Sequence, residues 1–411
     1  MLNARLERLN DYPFQRLADL LQGSEPRANI KPLLLHVGEP QHKPPAFAID
    51  AIGADRSRWN LYPPLVGTPA LREACAGYLQ RRYGVPASAL DPHKQIAPVA
   101  GSREGLFMVA LLAISPPDAG PKPIALMPNP FYQVYFGAAV MAGAEPVFLP
   151  TSAGKNWLPD LDAIPPATLE RTQIFYLCSP ANPQGTCADL DYWKKALTLA
   201  RRHGFMLVAD ECYADLYYTP RPPVGAIEAA VALGPGPDGH VLDNLIVSHT
   251  VSKRSSAPGM RSAFVAGSPT AIAMLNRLRS YEAASISHAV MDASVRLWND
   301  DAHADESREI YARKYDIADR LFAGRFDYYR PAGGFYLWLN VGDGEAATRR
   351  LWTEAGIKVL PGGYLTKPDA DGRNFGTPYI RIALVQELDA TEIALTRMAQ
   401  VFDAMAAEKC P

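Results

Sequence analysis

The sequence predicts an α/β protein organised on a mostly parallel sheet, and three observations lead there. Between about Ile96 and Gly267, short apolar runs alternate with helical stretches, the pattern of strands joined by helical crossovers. The runs are rich in β-branched and aliphatic residues and nearly free of charge, which suits strands buried on both faces. Several are followed at once by Gly, Pro, Asn or Asp with other polar side chains, and such sheets place their ligands at the carboxyl ends of strands.

At 411 residues the chain is long enough for two domains and a substantial core. A formal net charge of −2 gives no electrostatic reason to expect nucleic acid or an anionic membrane as partner. Five cysteines (Cys75, Cys178, Cys187, Cys212 and Cys410) are scattered without a C-x-x-C pair, which points to reduced thiols. The histidines show no metal-ligand spacing, so no metal site is expected. Met1 to Gln22 lacks the apolar core of a secretory signal, and no apolar run approaches the roughly 18 residues of a membrane span. The expectation is a soluble cytoplasmic protein.

Asn10-Asp11-Tyr12-Pro13-Phe14 interrupts a first helical stretch, which resumes from Gln15 to Leu21 as an arm packed on another surface. Leu33 to Val37 reads as a strand ending in Gly38-Glu39-Pro40. Gly38 either lets the backbone approach a ligand or simply makes a turn. A rigid Pro/Gly loop carries Tyr62, placed either to reach a phosphate or to pack, and precedes a helix running to about Tyr83.

Seven strand candidates follow: Ile96–Val99, Ile124–Met127, Pro146–Leu149, Ile174–Cys178, Met206–Ala209, Leu245–Ser248 and Ala263–Ala266. After the first, Gly101-Ser102-Arg103 opens an apolar helix, and free N–H groups at such a helix start make an anion site. Neither G-x-G-x-x-G nor G-x-x-x-x-G-K-[ST] occurs, so dinucleotide and P-loop readings lack their fingerprints. Tyr132, on the loop after the second strand, either stacks on a flat ligand or packs in the core. Asn182 sits in a turn fixed by Pro180, Pro183 and Gly185. Asp210 ends its strand either as a helix cap or as a partner for a ring nitrogen, with Tyr213 three residues on.

Leu245–Ser248 leads into Thr250-Val251-Ser252-Lys253-Arg254-Ser255-Ser256, with Arg261 eight residues past the lysine. An amine ringed by hydroxyls and followed by a guanidinium suits an aldehyde cofactor that carries a phosphate. Beyond Gly267 helical patterns dominate, including Glu306 to Leu321, which leads to a second domain. Gly333–Leu339, Ile357–Gly363 and Tyr379–Leu384 read as strands there. Arg381 stands alone among apolar neighbours and needs a carboxylate, from a fixed Asp or Glu or from a substrate.

In this order and spacing, these stretches resemble the fold-type I pyridoxal-phosphate-dependent aminotransferases, aspartate aminotransferase-like, along nearly the whole chain. The resemblance implies pyridoxal 5'-phosphate as cofactor and a homodimer with active sites shared across subunits. It implies a large domain at 46–290, with a mostly parallel seven-stranded sheet flanked by helices. Residues 1–45 would form an arm and part of a smaller α+β domain completed by 291–411. Lys253 would bond the cofactor aldehyde, Asp210 would pair with the pyridine nitrogen, and Asn182 and Tyr213 would bind the ring hydroxyl. Tyr132 would stack on the ring. Gly101, Ser102, Arg103, Thr250, Ser252 and Arg261 would hold the phosphate, with Tyr62 reaching in from the second subunit. Arg381 would take the substrate α-carboxylate in a pocket also lined by Gly38 and Asn182.

A closer resemblance is to the proteobacterial N-succinyldiaminopimelate aminotransferases of lysine biosynthesis. It is carried by Tyr12-Pro13-Phe14, Ser252-Lys253-Arg254-Ser255, Pro258-Gly259-Met260-Arg261-Ser262, Leu297-Trp298-Asn299-Asp300 and Gly333–Trp338. Ser256-Ala257 and Gln184-Gly185 depart from that subgroup's usual pattern. The implied reaction moves an amino group between glutamate and N-succinyl-2-amino-6-oxopimelate. Arg254 and Lys358 are candidates for the distal carboxylates of these anions. Rival readings are another class I aminotransferase or a C–S lyase using the same lysine.

Overall fold

The computed structural model describes residues 2–9, 11–55, 57–282 and 284–408. Cys410 lies outside the described residues, and among those described the remaining cysteines are free. No helix among them is long and apolar enough to cross a membrane, and no cluster of His, Cys, Asp and Glu suits a metal ion.

Twelve strands form: β1 (Leu33–Leu34), β2 (Ile96–Val99), β3 (Ile124–Asn129), β4 (Glu145–Pro150), β5 (Thr172–Cys178), β6 (Met206–Asp210), β7 (Leu245–Thr250), β8 (Ala263–Ala266), β9 (Tyr336–Asn340), β10 (Ile357–Lys358), β11 (Leu360–Pro361) and β12 (Tyr379–Ala383). The seven strands expected from the sequence make one sheet in the order β2-β8-β7-β6-β5-β3-β4. β4, β3, β5, β6 and β7 run parallel, and β8 runs against both of its neighbours. Successive side chains of a strand point to opposite faces. Accordingly Phe175, Leu177, Leu207, Ala209 and Val247 enter the core on one face, and Ile174, Tyr176, Val208 and Ile246 enter the core on the other. That double burial explains why the strands read as continuous apolar runs.

β3 passes to β4 in one direction, whereas the chain from β5 through β6 to β7 proceeds in the other. Between β3 and β5 the flanking connections therefore diverge and leave a crevice at the strand ends, the switch point where open α/β sheets bind ligands.

A second, smaller layer holds the antiparallel sheet β11-β12-β9 and the parallel pair β1-β10. Leu337, Leu339, Ile380 and Ile382 face a core shared with Leu35 and with helices Ala302–Phe322 and Leu388–Ala407. The same alternation turns Tyr336 and Arg381 away from that core. Helix His288–Asn299 buries Met291, Ala293, Leu297 and Trp298 in the core of the large sheet, although the sequence reading assigned 291 onward to the smaller unit. The strand expected over Leu33–Val37 shrinks to Leu33–Leu34, because from Leu35 the chain spends its hydrogen bonds on β12 and on the crevice.

Candidate active site

The crevice at the switch point is a cavity lined by Gly38, Ser102, Arg103, Tyr132, Asn182, Asp210, Tyr213, Lys253 and Arg381. Nine residues singled out in the sequence thus converge from strand ends, helix starts and loops far apart in the chain. Gly101, Thr250, Ser252 and Arg261 flank it. Tyr62 does not join them: its side chain is fully exposed.

Lys253 follows β7 on a one-turn helix, Val251–Arg254, capped by the Thr250 hydroxyl. Its amine donates to the Gly38 carbonyl and stands 5.6 Å from the centre of the Phe335 ring. The side chain is open to the cavity, not to bulk water. Burial, with a contribution from the Arg381 and Arg261 charges, brings its pKa down to about 8, although Cys212 and Glu39 oppose the shift. About a tenth is therefore free amine at pH 7, against well under a hundredth for an ordinary lysine, and the free amine is the nucleophile and the base.

Asp210 is buried, and its carboxylate accepts from the Tyr135 hydroxyl at 2.5 Å and from the Cys212 N–H at 3.3 Å. Burial raises its pKa against those hydrogen bonds, and none of the ion pairs among the described residues includes it. A buried carboxylate without a cation is costly unless a ligand supplies one, which is the arrangement a protonated pyridine nitrogen would complete. Tyr213 and Tyr336 face each other with hydroxyls 3.0 Å apart. Arg381 lies over the Tyr336 ring at 4.6 Å and donates to Asn182 Oδ1 (3.2 Å) and to the His36 carbonyl (2.8 Å), leaving its buried Nε without a partner. No carboxylate answers this guanidinium within the described residues, which favours the substrate over a fixed acid.

The far end of the crevice is built for an anion. Gly101 has φ of 91°, and a Cβ there would meet the Arg261 guanidinium carbon at 2.7 Å, so glycine is needed for the two segments to approach. Helix Ser102–Ala113 starts immediately after; the Glu104 and Gly105 N–H groups bond back to the Gly101 carbonyl, which leaves those of Ser102 and Arg103 outside the helical ladder. Arg261 itself donates only to carbonyls, of Pro258 (3.0 Å) and Ala100 (3.4 Å). Thr250 Oγ1 lies 2.9 Å from Ser252 Oγ. An always-charged guanidinium, two hydroxyls and a free helix start fit a phosphate dianion. The Arg103 side chain turns to the Tyr132 hydroxyl at 3.1 Å, and the sequence expectation rests on the backbone N–H groups of Ser102 and Arg103 at the helix start.

Tyr135, Cys212, Tyr336 and Trp157 also line the cavity and were not singled out in the sequence. Tyr135 alone left a signal, since it follows Tyr132 by three residues on one helix face. Arg254 is corrected: it is buried, pairs with Asp215 at 3.0 Å and Asp301 at 2.5 Å, and points away from the cavity. Lys358 lies 5.2 Å over the Trp352 ring and does not line it either.

A partly buried lysine amine, a buried carboxylate without a cation and an anion cradle at a switch point fit the needs of a protein that carries pyridoxal phosphate. The family Aminotransferase class I and II matches residues 30–394. An aminotransferase from Neisseria meningitidis superposes with a TM-score of 0.91 at 36% identity, covering 98% of this chain and 100% of that one. The LL-diaminopimelate aminotransferase of Nitratidesulfovibrio vulgaris strain Hildenborough is 30% identical, with 97% of this chain and 98% of that one covered. A probable N-succinyldiaminopimelate aminotransferase from Thermus thermophilus gives a TM-score of 0.79 at 25% identity over 95% of this chain and 100% of that one. The chain belongs to the class I and II aminotransferases. It is a pyridoxal-phosphate-dependent aminotransferase acting on amino acids and 2-oxo acids.

Proposed function

We propose that this aminotransferase serves diaminopimelate and lysine biosynthesis, moving an amino group between glutamate and N-succinyl-2-amino-6-oxopimelate. The observation that carries the reading is the unanswered Arg381 guanidinium facing the Lys253 amine across one cavity. The full-length likeness to two diaminopimelate-type aminotransferases supports the substrate class. The name of the Nitratidesulfovibrio relative favours a second reading, direct amination toward LL-diaminopimelate without the succinyl group.

When bound, pyridoxal 5'-phosphate supplies an aldehyde to carry the amino group and a ring to spread the charge left at Cα. Arg381 holds the substrate α-carboxylate, aided by Asn182, and so orients the Cα proton toward Lys253. With the cofactor in place, the free Lys253 amine would take that proton and return it on the carbon across the transferred nitrogen. Asp210 keeps the ring nitrogen protonated. Tyr213 and Asn182 hold the ring hydroxyl, Tyr132 covers one ring face, and Gly101, Ser102, Arg103, Thr250, Ser252 and Arg261 anchor the phosphate. The loop bearing Tyr62, fully exposed with Trp59 and Leu61 beside it, meets a second copy in a homodimer and brings Tyr62 to the partner's phosphate end. We place the enzyme in the cytoplasm.

The distal carboxylate falls to Arg16 and Lys367. Arg16 lies 3.9 Å over the Tyr364 ring, and Lys367 stands two residues beyond the cavity-lining Leu365. Neither joins an ion pair among the described residues. The test is to load the purified enzyme with amino groups from glutamate, then present the succinylated oxopimelate or the unsuccinylated cyclic precursor. Regeneration of the aldehyde form by the succinylated compound alone supports the first reading, and regeneration by the unsuccinylated compound alone selects the second. Failure of both overturns the substrate class.

A further inference from the structure

Helix Ala302–Phe322 carries Lys314, whose side chain is completely buried with no carboxylate in ion-pair range among the described residues. Its amine donates to the Leu384 carbonyl at 2.7 Å, lies 2.7 Å from His42 Nε2 and sits 4.6 Å over the Tyr311 ring. Leu384 is the third residue after Arg381, and His42 is the fourth after Gly38. One ammonium therefore fastens the exit of β12 to the segment that runs past the cavity. That segment provides the His36 carbonyl to Arg381 and the Gly38 carbonyl to Lys253. The Gln41 N–H reinforces the junction with a bond to the Val385 carbonyl at 3.1 Å.

We propose that Lys314 and His42 form a positioning pair that sets the 36–42 segment, and through it Arg381 and Gly38, for binding of the substrate carboxylate. The pair rests on the reading that Arg381 takes that carboxylate.

In the proposed pair the Lys314 amine donates to Nε2 of His42, which makes the imidazole neutral with its proton on Nδ1, 3.4 Å from the exposed Glu387 carboxylate. A second proton would set two positive charges 2.7 Å apart in a buried place and break the contact. The groups facing the pair are Tyr311 and Glu387, and across an open cavity on the outer side of His42 stand Lys43, Asp300, His303 and Glu306. Burial and the neighbouring Lys314 hold His42 below its usual 6.5 despite Glu387, and burial brings Lys314 down to about 7. A single shared proton across neutral pH agrees with the geometry.

A lysine kept in an apolar place only for packing would be replaceable by methionine at no cost to binding. The test measures KM and kcat for glutamate between pH 5.5 and 9 in the wild type and four variants. His42→Leu and Lys314→Met remove the contact, and each is expected to raise KM at pH 8 by about tenfold, the size of one buried hydrogen bond, with kcat within about twofold. His42→Gln keeps an acceptor that cannot titrate. It is expected to hold KM near the wild-type value at pH 8 and to abolish the rise in KM below pH 6.5. Lys314→Arg, which retains charge and donors, is expected to restore KM in place of methionine if Lys314→Met folds, and to report alone if it does not. Wild-type KM values and wild-type pH dependence in both His42 variants overturn the pair. Arg381→Lys is the control: an unchanged KM for glutamate there overturns the carboxylate reading itself. A raised KM there with silent His42 variants overturns only the pair.

Discussion

A primary amine attacks an aldehyde only after losing its proton, so the surroundings of Lys253 set its usefulness. With its pKa brought to about 8 by burial, the free-amine fraction rises as pH climbs through 8, whereas an ordinary lysine stays charged until about 10.5. Trinitrobenzenesulfonate labelling of cofactor-free enzyme is therefore expected to show one residue reacting with a midpoint near pH 8, absent from Lys253→Ala. A midpoint near 10.5 would sink this account. Asp210 makes the complementary case. Asparagine keeps its size and its bond from Tyr135 but cannot hold a proton on a ring nitrogen. Asp210→Asn is expected to lower turnover by roughly 100-fold or more, the scale of a lost acid–base partner, with an unchanged melting temperature. Lys253, Asp210 and Arg381 were legible in the sequence because each stands as a charged residue at the end of an apolar strand or inside one. Cys212 and Tyr336 were not, since an apolar or aromatic residue in a buried stretch looks the same whether or not a cavity opens beside it.

At the scale of elements, the short helix bearing Lys253 is held from behind. Arg254, the next residue, reaches Asp215, and Arg82 and the Tyr78 hydroxyl meet the same carboxylate at 3.3 Å and 2.8 Å. Burial pushes the Asp215 carboxyl up, but the two guanidinia beside it prevail and hold it below its ordinary value. Asp215→Asn leaves Arg82 buried against a neutral partner and Arg254 with Asp301 alone. The expected cost is about 3–5 kcal/mol in urea unfolding, with weaker retention of the cofactor. A loss under 1 kcal/mol would mean that the network contributes little. Arg254 was misread from sequence as a ligand for substrate because adjacent positions in a helical turn diverge by about 100°, and only the structure says which of Lys253 and Arg254 faces the crevice. The seven strands of the large sheet were readable at nearly their full lengths. Strand β1 and the segment after it were not, because their hydrogen bonds go to β10, β12 and the site, all of them more than 200 residues away in sequence.

For the whole molecule, the exposed Trp59-Leu61-Tyr62 loop sets an expectation of self-association. Sedimentation at micromolar concentration is expected to give a dimer, and Leu61→Asp is expected to shift it toward monomer and reduce activity on dilution. A wild-type monomer with full turnover would remove Tyr62 from the active site. The packing of helix His288–Asn299 also moves our proposed boundary between the two units to about Asp300, where its core contacts with the large sheet end. Composition and period place the helix in the chain but do not say which of two neighbouring cores receives it.

The carbonyls of His36 and Gly38 give the site one further property. The Arg381 guanidinium, proposed to hold the substrate carboxylate, and the Lys253 amine, proposed to take the Cα proton, hang from peptide groups two residues apart on a single strand of chain. A carboxylate arriving at Arg381 competes with the His36 carbonyl, and any slackening is felt at once by the tether on Lys253. Docking of the substrate and release of the base are thus joined through a few bonds of backbone, with no need for a signal to cross the protein.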